Sequence, residues 1–384
     1  MRQYQYFGTL YGTKDPGRMK KVVYALLVLV VVIAACRKDE PEDIADTPDP
    51  DPVTDSPVVF NLDQVPYAQL STYNFYQGAL AELNPVAGVV PYDVITPLFS
   101  DYAHKKRFIW MPSGAKATYV DDKSILDFPN GTVLIKNFYY DHVLPENGTR
   151  ILETRLLFKR NGAWEFADYV WNAEQTEASL DLVGSYVPMS WLDDNGVQHD
   201  LTYRIPSAAE CQTCHKIGST PIPIGPKPQN LNMDYPYATG TMNQLSKWVA
   251  AGYLNSGYPA NIETMVKWDD PAESLLDRVR SYVDMNCSHC HANDRHCDYR
   301  PMRFAWSETV DIENLGVCVA PDEPILPQHT HIVKPGNLER SLLHYRIAAT
   351  DETVRMPLLG RTVVHEEGKA LIEAWIESMS QPCN

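Results

Sequence analysis

The feature that most constrains this chain is a five-residue pattern that occurs twice, as Cys211-Gln212-Thr213-Cys214-His215 and as Cys287-Ser288-His289-Cys290-His291. Each reads C-x-x-C-H, two thiols at close spacing with an imidazole directly behind them. With 8 Cys and 11 His in 384 residues, chance supplies about 0.005 such patterns, so two copies call for a chemical reason. A closed zinc site would want paired knuckles converging on one tetrahedral set, and a redox dithiol would want a βαβ setting. Neither explains a histidine in the same place after both pairs. Covalent haem does: the thiols form thioethers with the vinyl groups of one haem and the histidine binds its iron. Two haems c are therefore expected, held by Cys211 and Cys214 and by Cys287 and Cys290, with His215 and His291 as axial ligands.

Haem of this kind is attached outside the cytoplasm, and the N-terminus carries an export signal. Met19-Lys20-Lys21 precedes an apolar run from Val22 to Ala35 and then Cys36. A short positive region, an apolar stretch too short for a comfortable membrane span and small residues at its end describe a secretory signal peptide; a retained signal anchor is the alternative. Residues 1–18 add nothing to such a signal, so Met19 also serves as a start. Ile33-Ala34-Ala35-Cys36 resembles the lipobox of bacterial lipoproteins. That resemblance implies lipid on Cys36, anchoring to a membrane, and an outer-membrane lipoprotein facing the periplasm or the cell surface. Arg37-Lys38-Asp39-Glu40 resembles the short tag that follows the lipid cysteine in surface-exposed lipoproteins. Eight acids lie between Asp39 and Asp55 among Pro48, Pro50 and Pro52, a composition that cannot bury enough apolar surface to order itself, so residues 37–56 read as an extended tether. The net charge of −16 argues against nucleic acid as a partner, since phosphate binding needs a basic face. Redox proteins are the expected partners.

Export also frames the remaining cysteines. With Cys36 lipidated and four thiols on haem, Cys297, Cys318 and Cys383 are left in a compartment that permits disulfides. Cys297 and Cys318 flank one loop and are the favoured pair, with Cys383 odd; the other two pairings stay open.

Along the chain, Val58 to about Tyr203 has a β texture. Runs such as Thr132–Tyr140 and Ile151–Phe158 are β-branched or aromatic, and turn signals stand at Pro129-Asn130-Gly131, Glu146-Asn147-Gly148, Arg160-Asn161-Gly162 and Asp194-Asn195-Gly196. They predict an antiparallel sandwich or a strongly bent sheet, ending where the first motif begins. His104, in the basic cluster Tyr102–Arg107, reads as a solvated strand end, with a propionate or distal-ligand site as the alternative. After the first motif a proline-rich loop, residues 221–228, cannot be helical. A helix then fits Thr241–Ala251, with Met242 at its start as a candidate distal ligand for haem 1; packing is its ordinary use. Further on, Leu275, Leu276, Val279, Tyr282 and Val283 recur at helical spacing and run into Cys287. Asn337 can cap a helix through Leu342 and Tyr345, and a last helix fits Gly368–Met379. That order matches a small monohaem cytochrome c fold, its first and last helices crossing near Tyr282 and Trp375. Between them Met356-Pro357 offers a thioether from a loop that proline keeps non-helical, the best distal ligand for haem 2; a core methionine before a turn is the alternative.

The expected fold is α+β and multidomain. It comprises a signal peptide (1–36), a tether (37–56), an antiparallel β-rich, sandwich-like domain (57–204) carrying haem 1 at its C-terminal side, a first haem segment (205–270) and an all-α monohaem cytochrome c-type domain (271–384) with the second haem. With both motifs, Thr96-Pro97-Leu98-Phe99-Ser100-Asp101-Tyr102, Phe128-Pro129-Asn130-Gly131-Thr132, Tyr169-Val170-Trp171-Asn172, Ile224-Gly225-Pro226-Lys227, Met356-Pro357-Leu358-Leu359-Gly360 and His365-Glu366-Glu367-Gly368, the chain resembles a little-characterised family of dihaem c-type cytochromes, exported bacterial proteins and often lipoproteins. The likeness spans roughly residues 60–380 and implies two haems and electron transfer without naming a substrate. Residues 129–215 also resemble cytochrome P460 in outline, a β-sandwich with an open distal face. A membrane-anchored electron carrier is thus the leading expectation, with haem 2 a His/Met relay and haem 1 the entry point. A dihaem peroxidase or P460-like oxidase with haem 1 as catalytic iron is the alternative.

Overall fold

Local turn chemistry builds the scaffold. The computed structural model describes residues 56–383; Met19, Cys36 and most of the acidic tether lie outside them. Asn161 and Gly162 both adopt positive φ (51° and 80°), the two-residue turn whose twist suits a hairpin, and Arg160 pairs with Ala163 across it. Asn147, φ 55°, closes the preceding hairpin. The Asp193 carboxylate accepts from the amides of Asn195 and Val197, both at 2.9 Å, and closes the last. At Gly131 a Cβ would stand 2.7 Å from Pro112 Cγ, so the Asn-Gly turn there needs the missing side chain as well as the φ.

Eight antiparallel strands result: β1 (Val90–Tyr92), β2 (His104–Trp110), β3 (Val133–Val143), β4 (Gly148–Arg160), β5 (Ala163–Trp171), β6 (Ala178–Asp181), β7 (Ser185–Leu192) and β8 (Gln198–Ile205). They form one sheet in the order β8-β7-β3-β4-β5-β6, with β1 and β2 added beside β3. Both faces are covered. Phe108, Trp110, Val133, Ile135, Leu156, Phe158 and Tyr169 pack against residues 58–89. Ile109, Leu134, Leu157 and Trp164 pack on the other side against Phe128, Leu231, Leu245 and Trp248. Burial on two faces is why β3 and β4 read as continuous apolar runs rather than as strict alternation.

The helices among the described residues are short. They are α1 (Ala208–Cys214), α2 (Pro228–Leu231), α3 (Gln244–Ala250), α4 (Leu275–Asn286), α5 (Leu342–Ala348) and α6 (Glu366–Ser378). None among the described residues is long and apolar enough to cross a membrane. Leu275–Asn286 and Glu366–Ser378 answer the periodicity, and Tyr282 and Trp375 do share a core.

The expected division into a β-rich, sandwich-like domain and a separate all-α cytochrome c-type domain is overturned. Strands β1–β8 make one sheet, the remaining described strands only pair off two by two, residues 287–341 contain no α-helix, and the described residues cluster as one unit. The reason lies in buried polar ties between the two regions. Asn286 Oδ1 accepts from the Phe99 amide at 2.9 Å, Lys227 holds both oxygens of Asp284 at 2.7 Å, and Asp101 accepts from Thr362 and Val363. Pulling the helices away would leave those groups unpaired, which costs more than the bonds contribute. The helix through Leu342 also starts late: Ser341 is its N-cap, while Asn337 Oδ1 serves the Arg340 amide.

Candidate functional site

The first motif begins as a helix that the sequence reading did not assign. Ser207 and Glu210 form a capping box, each side chain taking the other's amide, and this nucleates α1 directly after β8. Cys211 and Cys214 therefore stand three residues apart on one helical face. His215 follows as the C-cap. Its Nδ1 lies 3.1 Å from the Ile222 carbonyl; donating there, it leaves the lone pair on Nε2, the tautomer a metal ligand requires. Burial above all brings His215 down to about 3, so the ring is neutral.

The second motif is delivered by α4. Ser274 caps its start by accepting from Asp277, and Cys287 is its C-cap, its amide bonded to Val283 O at 2.8 Å. The amides of Cys290 and His291 then return to Cys287 O, folding the motif into a tight turn. His289 and His291 are 7% and 8% exposed, and Nδ1 of each has no hydrogen-bond partner. Burial lowers His291 to about 4.

Sequence spacing could not show that the two motifs face each other across a single cavity. About 1960 Å³ of empty space, part of it open to solvent, is lined by all four motif thiols, His215, His289, His291 and Met356. Cys290 donates to Cys214 with the sulfurs 3.8 Å apart. That bond lowers the Cys214 pKa and raises that of Cys290, whereas burial pushes Cys211 and Cys287 up to about 12. None of the four is in a disulfide. A ligand atom each from Cys214, His289 and Cys290 lies within 4.8 Å of the others.

Met356 enters the cavity wall on a loop tied down by Arg361. This guanidinium is 4% exposed and spends its donors on backbone carbonyls of Met356 (3.0 Å), Val363, Arg346, Ile347 and Ala349. It satisfies the C-terminal end of α5 and the Met356 loop together. Met242 is placed elsewhere. It is 42% exposed in the strand Gly240–Asn243, paired opposite Tyr235, and is not among the residues lining the cavity. The helix expected from Thr241 starts only at Gln244, behind an Asn243 cap. His104 is an exposed strand end beside Asp141.

The cysteine pairing differs from the favoured one. Cys318 is bonded to Cys383, their Cα atoms 5.2 Å apart, because the chain leaving α6 returns to residue 318. Cys297 is the odd thiol: it is buried, lines the cavity, and its amide is bonded to Cys290 O at 2.9 Å, which keeps it with the second motif. Arg155 and Arg361 were missed as cavity residues. Arg155 left a trace in Ile151-Leu152-Glu153-Thr154-Arg155-Leu156, where two opposite charges at alternate positions share one face in the middle of a strand; Arg361 left none. No protein-family model, curated protein or solved structure matches this chain.

Proposed function

We propose that this protein is a dihaem c-type cytochrome that transfers electrons outside the cytoplasm, anchored to a membrane through lipid on Cys36. The observation that carries the reading is the shared cavity: both C-x-x-C-H motifs and Met356 line it, and the outer thiols of the two motifs touch. Four free thiols, two neutral imidazoles and one thioether match the donor set that two covalent haems need. Haem supplies a reversible one-electron store at its iron. The chain's part is to hold it: Cys211, Cys214 and His215 at the first site; Cys287, Cys290, His291 and Met356 at the second. The Ile222 carbonyl fixes the His215 ring and Arg361 fixes the Met356 loop. Contact between the attachment sulfurs supports a short path from haem 1, as entry, to haem 2, as relay.

The test is intact mass and haem staining of protein made in cells that attach haem c. The expected result is two covalent haems, reduced to one in Cys211→Ser/Cys214→Ser and in Cys287→Ser/Cys290→Ser; a protein that loses all haem on denaturation sinks the proposal. The position of Met242 outside the cavity wall favours a second reading for the first site, a reactive haem in a peroxidase or oxidase. Carbon monoxide, cyanide or hydroxylamine should then shift one haem spectrum, and no shift removes that reading. The Cys214, His289 and Cys290 cluster favours a third, a thiolate-bound metal ion; metal analysis finding stoichiometric zinc and no iron would establish it over haem.

A further inference from the structure

We propose that Asp168 is a proton-binding site linked to the redox state of the group held by Cys211, Cys214 and His215, so that electron transfer at the first motif is coupled to proton uptake. The inference rests on the haem reading above. Glu153 on β4 and Asp168 on β5 are 0% and 2% exposed, and one guanidinium, Arg155, serves both. Arg155 grips Glu153 at two points, 2.8 and 2.6 Å, and the Tyr203 hydroxyl donates to the same carboxylate at 2.6 Å. Asp168 receives far less. Its Oδ2 lies 3.9 Å from Arg155 Nε and has no hydrogen-bond partner. One cation therefore faces two carboxylates: it bonds Glu153 directly and reaches Asp168 only at 3.9 Å, so Asp168 is left in a low-dielectric region with a shared, incomplete counter-charge.

The other groups around Asp168 do not make up the shortfall. Asp181 on β6 stands opposite it in register and is itself a carboxylate, served by Val183, Gly184 and Ser185. Cys211 on α1 and Tyr203 on β8 are neutral. Lys136 on β3 stands in the field of Arg155, and burial drives it toward its uncharged form. Burial, followed by the charges of Glu153 and Asp181 and against the pull of Arg155, lifts Asp168 to about 8, within reach of ordinary solution pH.

Arg155 joins this cluster to the cavity, whose wall it shares with Cys211 and His215, and the Cys211 thiol lies in the field of both Asp168 and Arg155. An electron arriving there adds negative charge beside a carboxyl that already lacks a full counter-charge, which favours the acid form. The step balances with one electron from a one-electron donor protein, taking iron(III) to iron(II), and one proton from solvent, taking the Asp168 carboxylate to the carboxylic acid. Both leave on reoxidation.

The test is a spectroelectrochemical titration of the full chain carrying both haems, at a series of pH values. One midpoint potential should fall as pH rises through the Asp168 range, by at most about 59 mV per pH unit for one proton per electron, and Asp168→Asn should flatten it while leaving the other haem unchanged. Should the variant fail to fold, an indicator dye in weak buffer must still register proton uptake by the unmodified protein on reduction. Potentials independent of pH with no uptake, or an unaltered slope in Asp168→Asn, overturn the proposal while the haem reading stands. A sample without covalent haem overturns both.

Discussion

Single side chains decide how the two sites differ. His215 has an oriented neutral ring because one carbonyl, Ile222, occupies its Nδ1; His291 has no such partner and leans on Phe304 at 5.6 Å. Met356 lines the cavity, and in the proposed dihaem reading it is the thioether of the second site. Replacing it by Ala should open an axial position and lower the potential of one haem, because a thioether ligand raises it; an unchanged visible spectrum would remove Met356 from the site. Arg361 acts at one remove, through the loop. Arg361→Met strips the donors from five partly buried carbonyls and should cost about 2–4 kcal/mol in urea denaturation, together, on the dihaem reading, with loss of the methionine-ligated spectrum. A wild-type midpoint would show that water can replace the guanidinium.

At the scale of elements, each motif is presented by the end of a helix, but the two helices are anchored differently. α4 runs for 12 residues and is buried from Val279 to Asn286, so tertiary packing holds it. α1 has 7 residues and no buried residue of its own, and a helix so short depends on its cap. Ser207→Ala should therefore cost about 1 kcal/mol and, on the proposed dihaem reading, weaken haem attachment at Cys211 and Cys214 while sparing Cys287 and Cys290. Equal loss at both motifs would contradict this independence. Periodicity made α4 and α6 legible because their apolar faces pack on one core. It could not reveal α1, whose signal is a capping box without an apolar stripe.

For the whole molecule, the closure of the C-terminus is covalent. Cys318–Cys383 ties the end of the chain across 65 residues, and Cys383→Ser should lower stability by about 2–4 kcal/mol. Peptide mapping without reduction should recover the Cys318–Cys383 link; a Cys297–Cys318 peptide would refute it. The packing between sheet side and helix side also sets a pH limit. His365, stacked on Phe99 at 4.1 Å and bonded to Tyr282, is lowered by burial to about 4, whereas unfolded it titrates near its ordinary 6.5. The unfolded chain thus binds the extra proton in between, and stability should drop as pH falls from about 6.5 toward 4. His365→Phe should lessen that dependence in thermal melts, and an identical pH profile would show that His365 does not set it.

By itself the sequence determined what is local. The spacing within each C-x-x-C-H motif, the Asn-Gly turns that close the hairpins, the apolar stripes of α4 and α6 and the loop nature of Met356-Pro357 all follow from neighbours along the chain, where steric and hydrogen-bonding rules act directly. Tertiary structure decided everything that joins distant residues. It brought Cys214 against Cys290, set Asp168 and Glu153 around one arginine, left Met242 outside the cavity wall and paired Cys318 with Cys383 instead of Cys297. It also merged the expected domains into one unit, because ties such as Phe99–Asn286 and Lys227–Asp284 join residues far apart in sequence. The physical reason is common to all of these: burial and charge compensation depend on which surfaces meet, and spacing along the chain does not encode that meeting.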